Sequence, residues 1–189
     1  MSLSAVILAG GKSSRMGRDK ALLPFGEFSS LSEYQYIRLK PLFDKVYLSA
    51  KENKFEFEAE IIYDIYKEYN PLNALISAFK TTKSDAIFML SVDMPLLEID
   101  SINSLIQAYK DNSGNYSSFS MASNLGVEPL ATIYTRGLLD IAEDMYKECN
   151  YKMKNLIYSK ENYKLYVKKI ETTNINREKE YKKVLNYLK

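Results

Sequence analysis

The chain has 189 residues, 46% of them hydrophobic, and a formal net charge of +2. That length suits one domain that buries roughly 70% of its unfolded surface and is short for two catalytic domains, while so small a charge gives no polyanion signature, so nucleic acid is not an implied partner. Histidine is absent and Cys149 is the one cysteine, which excludes histidine bases, triads and metal ligands, an internal disulfide framework and thiolate zinc sites.

Chemistry therefore falls to carboxylates and cations, and any metal is expected to be hard and oxygen-bound, a requirement that Mg²⁺ meets. Cys149 reads as a small packing residue on an apolar helical stretch. The start of the chain lacks a basic n-region, and no segment approaches about 18 uninterrupted apolar residues. The expectation is a cytoplasmic protein without membrane contact. Charge is uneven: Lys152 to Lys189 holds eleven Lys and Arg against four Glu. This surplus reads as a solvated face around the last helix or as a surface that steers an anionic partner. The 16 tyrosines accompany a Lys-, Asn- and Ile-rich composition and carry little functional weight.

In chain order, Leu3 to Ala9 is an apolar strand that runs into a glycine-rich cationic loop. Leu31 to Phe43 reads as an amphipathic helix through Leu31, Tyr34, Ile37, Arg38 and Leu39 and is stopped near Pro41. Strands are expected over Lys45 to Ala50, Glu60 to Tyr63 and Asp85 to Val92. A helix is expected from Pro71 to Lys80, where proline suits the first turn and Leu72, Leu75, Ile76 and Phe79 follow at three-four spacing. A further helix, Ile99 to Lys110, leads into the polar break Asp111 to Asn115. Tyr116 to Ala122 and Val127 to Tyr134 are strand-like runs with a brief polar interruption, which predicts one antiparallel strand. Helices over Arg136 to Cys149 and Lys152 to Tyr158, a strand Tyr163 to Val167 and a helix Arg177 to Leu188 complete the chain. The alternation predicts an α/β class, three-layer fold on a mostly parallel sheet, with ligands beyond the carboxyl ends of the parallel strands.

The loop after the first strand carries Gly10, Gly11 and Gly17 with Arg15, Arg18 and Lys20. Glycines let backbone approach a ligand, free N–H groups in such a turn bind anions, and the cations supply charge, so polyphosphate is the expected ligand. A Walker A loop ending at Gly11-Lys12-Ser13 would need glycine at Val6, and a dinucleotide fingerprint from Gly10 would need glycine at Lys12. Neither fits. Asp93 follows the strand Asp85 to Val92, in the ligand crevice of an open α/β sheet, where a carboxylate can hold Mg²⁺ with triphosphate oxygens and waters; an aspartate opening a turn before a proline is the plainer alternative. Asp64 ends the run Glu60 to Tyr63. It reads either as a group contacting guanine or ribose, or as an ordinary loop carboxylate. Asn176 is a natural N-cap for the last helix.

Leu8-Ala9-Gly10-Gly11, Arg15-Met16-Gly17 and Asp19-Lys20-Ala21-Leu22 together resemble the signature of the molybdenum cofactor guanylyltransferases, a family of Rossmann-like nucleotidyltransferases. The related cytidylyltransferases typically read Ala-Ala-Gly and Pro-Lys at these places, so the pattern favours guanine. The resemblance implies transfer of GMP from GTP to the phosphate of molybdopterin, the organic part of the molybdenum cofactor, with release of pyrophosphate, a Mg²⁺ requirement, and transient protein partners in cofactor delivery. It implies nucleotide contacts at Leu8, Ala9, Gly10, Gly11, Lys20, Ser49, Asp64 and Asp93. Asp93 is the metal ligand, and Arg15 and Lys20 act on the triphosphate. The Asn174-Ile175-Asn176 segment borders the crevice, which makes Asn174 and Asn176 candidates for metal or pterin-phosphate contact. Lys12 and Arg18 are helpers or face solvent.

Asn70-Pro71-Leu72-Asn73-Ala74 departs from the family's Gly-Pro-Leu-Ala-Gly beside the base pocket, and Glu128 stands where histidine before proline is common. Asparagine side chains there replace backbone contacts or narrow the pocket. Other readings are a cytidylyl or sugar-phosphate nucleotidyltransferase, and a catalytically silent GTP-binding protein.

Overall fold

In the computed structural model, which describes residues 1–10 and 17–187, the first apolar run forms strand β1 (Leu3–Leu8), buried along its whole length. Side chains alternate along a strand, so Ala5 and Ile7 enter one hydrophobic core while Val6 and Leu8 enter another. A strand apolar on both sides requires a cover on each face of its sheet.

Strands β2 (Lys45–Ser49), β3 (Glu60–Ile62), β4 (Ala86–Ser91), β5 (Ser118–Ser123), β6 (Gly126–Thr135) and β7 (Asn162–Tyr166) join β1 in one sheet among the described residues, in the order β3-β2-β1-β4-β6-β5-β7. Neighbours are parallel except at β6, which runs antiparallel to both β4 and β5. The single reversed strand follows from the short turn into Gly126, whose φ of 105° suits glycine.

One core lies under helices α1 (Leu31–Leu39), α3 (Ile99–Asn112) and α6 (Glu178–Tyr187), which contribute Leu31 and Leu39, Ile102 and Leu105, and Val184. The other lies under α2 (Pro71–Thr81), α4 (Leu139–Lys147) and α5 (Met153–Ile157), with Leu75, Phe79, Met145 and Leu156 prominent. The architecture is the three-layer α/β/α arrangement expected from the alternation of elements. Among the described residues no helix is long and apolar enough to cross a membrane.

Helix α1 ends at Leu39, the stop expected near Pro41, which has no N–H to continue the ladder. Two stretches differ in kind from the sequence reading. Arg136–Leu138 is a 3-10 turn before α4, not a helical start; the Arg136 guanidinium is drawn away to donate to the carbonyls of Phe79, Thr82 and Ser84 at 2.9, 2.8 and 2.8 Å. Cys149 does not pack in a helix. It is exposed at φ 57° just past α4, and its N–H donates to the Tyr146 carbonyl at 3.0 Å while that of Asn150 donates to Met145 at 2.9 Å. This is a Schellman stop with cysteine in the position glycine usually fills.

Candidate active site

Strands β3, β2, β1 and β4 end at one edge of the sheet, since Leu8 pairs with both Ser49 and Ser91, and Ser49 with Ile62. The chain leaves β1 toward β2 on one side and later returns to lay β4 on the other, which makes the β1/β4 boundary a topological switch point, where a crevice opens. A cleft of about 210 Å³ lies there. Leu8, Ala9 and Gly10 from the end of β1, Lys20, Asp64 after β3 and Asp93 after β4 all line it. Gly11, Lys12 and Arg15 lie outside the described residues, and Arg18 is exposed.

Lys20 opens a 3-10 turn, Lys20–Leu22, capped by Asp19, whose Oδ1 accepts from the Ala21 N–H at 3.0 Å. Asp19 is itself paired with Lys54. The turn delivers the Lys20 ammonium between two oxygens remote in sequence: Asp93 Oδ2 at 2.8 Å and Asn176 Oδ1 at 2.9 Å. The side chains of Lys20 and Asp93 are only 17% and 15% exposed, so the pair is shielded from screening.

Asp93 is held from several sides. Ser91 Oγ donates to its Oδ1 at 2.6 Å, and the Ile175 N–H donates to its carbonyl at 2.8 Å. From α1, Gln35 Nε2 donates to the Val92 carbonyl at 3.3 Å, and Arg38 Nη1 donates to those of Pro95 and Leu97 at 3.1 and 2.9 Å. Burial pushes the Arg38 pKa down, against the nearby Tyr34, which raises it. Ser91, Gln35 and Arg38 were not singled out by the sequence reading; only Ser91, two residues before Asp93 on an alternating strand, carried a usable signal.

Asn176 does not cap the last helix with its side chain. The Glu180 carboxylate accepts from the N–H groups of Asn176 and Arg177 at 2.6 and 3.0 Å, the reverse half of a capping box, which leaves the Asn176 amide for Lys20. Asn174 does not line the cleft, and among the described residues its side chain has no hydrogen-bond partner.

At the other end of the cleft burial raises the Asp64 pKa, opposed by a hydrogen bond from Ser49 Oγ at 3.4 Å and by Lys51. Ser49 is buried and turned toward Asp64 rather than into the cleft. Tyr69 lies across Gly10: a Cβ on that glycine would stand 2.2 Å from the phenol oxygen. Its pKa is pushed up by burial and then by the charges of Asp64 and Asp19. Asn70 caps α2, its Oδ1 accepting from the Asn73 N–H at 2.9 Å. Asn73 is fully buried, and its Nδ2 donates to the carbonyls of Tyr66 and Glu68, both at 2.9 Å. Asn73 thus ties the loop at Tyr66 and Glu68 to the start of α2. Tyr69 carried no signal in a chain so rich in tyrosine, whereas the Asn-Pro pair at a helix start was a signal for the Asn70 cap that the sequence reading did not use.

Hard divalent cations take oxygen ligands, and Mg²⁺ usually combines one or two protein carboxylates with waters and phosphate oxygens. Asp93 Oδ2 and Asn176 Oδ1 already converge on one cationic atom, the Lys20 nitrogen. Among the described residues there is no group of three or more acidic, histidine or cysteine side chains able to hold a metal alone. The donors fit Mg²⁺ bound jointly with a polyphosphate.

Residues 5–163 match the MobA-like NTP transferase domain. Over 197 aligned residues the chain is 32% identical to the molybdenum cofactor guanylyltransferase of Helicobacter pylori strain G27, which covers 100% of this chain and 94% of that protein. The chain belongs to the molybdenum cofactor guanylyltransferase family. A second member, from Campylobacter jejuni strain RM1221, is 33% identical over 191 residues, covering 99% and 97% of the two chains. The crystal structure of molybdopterin-guanine dinucleotide biosynthesis protein A from Archaeoglobus fulgidus superposes with a TM-score of 0.82 over 98% of each chain at 18% identity, which shows a shared fold. Within the family's nucleotidyltransferase frame, the cleft on this chain places Lys20 with Asp19 and Asp93 at one end and the half-buried Asp64 with Asn70 at the other.

Proposed function

We propose that this chain transfers GMP from GTP to the phosphate of molybdopterin at the β1/β4 cleft. A phosphate oxygen of the acceptor forms a bond to the α-phosphorus of GTP in line with the α–β bridging oxygen. That bridging bond breaks, and its electron pair leaves with pyrophosphate. The acceptor phosphate is already ionised near neutral pH, so no base is required, in keeping with a chain that has no histidine.

The observation that carries this reading is the junction of Lys20, Asp93 and Asn176 at the carboxyl edge of the sheet, in a chain that matches the family along its whole length. Lys20 and Arg15 neutralise charge that builds on the departing pyrophosphate, an electrostatic role of the largest class in catalysis. Asp93 and Asn176 would hold Mg²⁺ with the triphosphate. When bound, the ion supplies charge neutralisation and alignment of the phosphate oxygens. Ser91 keeps the Asp93 carboxylate turned into the cleft through Oδ1. Gly10 allows close approach of the nucleotide to the end of β1, and Asp64 accepts hydrogen bonds from guanine.

The test is pyrophosphate release with molybdopterin and each of GTP, CTP, UTP and ATP, with and without Mg²⁺. GTP- and Mg²⁺-dependent release is expected; equal or better turnover with CTP rejects the base assignment. GTP binding without transfer to any pterin or sugar-phosphate acceptor rejects the enzyme.

A further inference from the structure

Asn70 holds an unusual position in the cleft wall. Its amide oxygen is committed to the α2 cap through the Asn73 N–H at 2.9 Å, which fixes the orientation of the whole amide group. Its amide nitrogen is shielded from solvent and has no hydrogen-bond partner among the described residues. A buried donor left unpaired is unfavourable, and the large majority of such groups in folded proteins find a partner. Asn70 lines the same cleft as Asp64, so the lining holds both an acceptor-only group and a residue with an unpaired donor.

The hydrogen-bonding edge of guanine carries, in order, the 2-amino donor, the N1–H donor and the O6 acceptor. A carboxylate followed by an amide N–H₂ is its complement. Adenine and 2,6-diaminopurine place a donor at the 6 position, against which the Asn70 amide would set donor against donor. Cytosine presents one donor beside two acceptors and uracil one donor between two acceptors, so neither offers the two adjacent donors that a carboxylate takes from guanine.

We propose that Asn70 is the specificity residue that reads O6 of guanine: its Nδ2 donates to O6 while Asp64 accepts from N1–H and the 2-amino group. The inference rests on the guanylyl-transfer reading above and names the atom that enforces it. The cap makes the reader rigid, because the amide cannot flip to present its oxygen without giving up the Asn73 N–H. Selectivity at the 6 position is thus coupled to the helix start.

Isothermal titration of GTP and of 2,6-diaminopurine riboside triphosphate into the wild-type protein, Asn70→Asp and Asn70→Ser tests this directly. Aspartate and serine both serve as N-caps, so the α2 start is preserved, and melting temperatures verify it. Asn70→Asp presents acceptors alone. The ratio of the two dissociation constants should move at least about tenfold toward the diaminopurine nucleotide, the scale of discrimination expected from one well-placed hydrogen-bonding group. Asn70→Ser removes the reach to O6 without adding charge, and should bring the ratio toward unity. The two bases also differ at N1, but that atom faces Asp64, which every protein keeps, so the change in ratio isolates the 6 position. A wild type that prefers GTP while Asn70→Asp and Asn70→Ser retain its ratio within twofold overturns the inference alone. A wild type that binds ATP or CTP as tightly as GTP overturns the guanylyl reading and this inference together.

Discussion

The Lys20 ammonium lies 2.8 Å from the Asp93 carboxylate across 73 positions of sequence. Lys20 stands on a 3-10 turn and Asp93 just beyond the end of β4, and both line the cleft. In this structure they pair with one another; in the proposed reaction, triphosphate with a divalent cation would give each a new partner of opposite sign.

Lys20→Met should lower the rate of pyrophosphate release by about 10²- to 10³-fold, the loss typical of removing one preorganised charge stabiliser. Asp93→Asn should give a comparable loss that excess Mg²⁺ only partly reverses. Steady-state assays with circular dichroism as the folding control check both, and a Lys20→Met protein with near wild-type turnover would remove Lys20 from the catalytic set.

Gly10→Ala is expected to cut GTP affinity at least about tenfold with a stability change within the range of about 1–3 kcal/mol found for overpacking. The new Cβ would meet Tyr69 at 2.2 Å, so the ring, which lines the cleft, must shift to admit it. Adding Tyr69→Ala in the same chain should restore most of the affinity, a coupling that a double-mutant cycle measures. Additive effects of the two substitutions would show that the ring and the glycine act independently.

Asp64 makes stability and binding respond to pH in opposite directions. Its pKa is raised mainly by burial, so folding takes up a proton between the ordinary carboxylate value of about 3.9 and the elevated folded one. The favourable contribution of the protonated form is complete below the ordinary value and is lost as pH rises through the folded one. Asp64→Asn, neutral throughout, should therefore melt higher than wild type above that window and no higher below it. Wild-type GTP affinity should fall as pH drops through the same window. Thermal scans and titrations between about pH 3 and about pH 8 read both; a variant with no melting-temperature gain at neutral pH contradicts the desolvation argument.

Arg136 tests the scaffold apart from the site. Its guanidinium donates to three carbonyls at the end of α2 and the start of β4 and packs over the Phe79 ring with its central carbon 5.1 Å from the ring centroid. Arg136→Met should cost about 3 kcal/mol by leaving these acceptors without their donor, a fall of roughly 6 to 12 °C in melting temperature for a chain of this size. GTP affinity below the transition should be unchanged. A loss of affinity in the folded variant would place Arg136 in the coupling between α2 and the cleft.

Much of the molecule was readable in the chain before any coordinates. Buried strands show as unbroken apolar runs and covering helices as three-four spacing, so the alternation of β1 through α3 and the reversed strand β6 followed from local patterns. That Gly10, Lys20 and Asp93 would line one cleft was equally legible, because they sit in short motifs at or just beyond strand ends. Boundaries were less secure where a side chain chose a distant partner, as Arg136 did in turning the expected first turn of α4 into a 3-10 turn.

Tertiary structure alone decided which groups meet. Asn176 reads locally as a helix cap, because capping is a local interaction; only the fold brings Lys20 within reach of its amide across 156 positions and lets Glu180 take over the cap. Tyr69 and Asn70 likewise acquire meaning from Gly10 and Asp64, which lie on other strands of the same sheet edge. Periodicity and propensity are set by neighbours along the chain and survive in the sequence. A site assembled from the ends of parallel strands is set by distances between segments, and those exist only once the sheet has closed around its two cores.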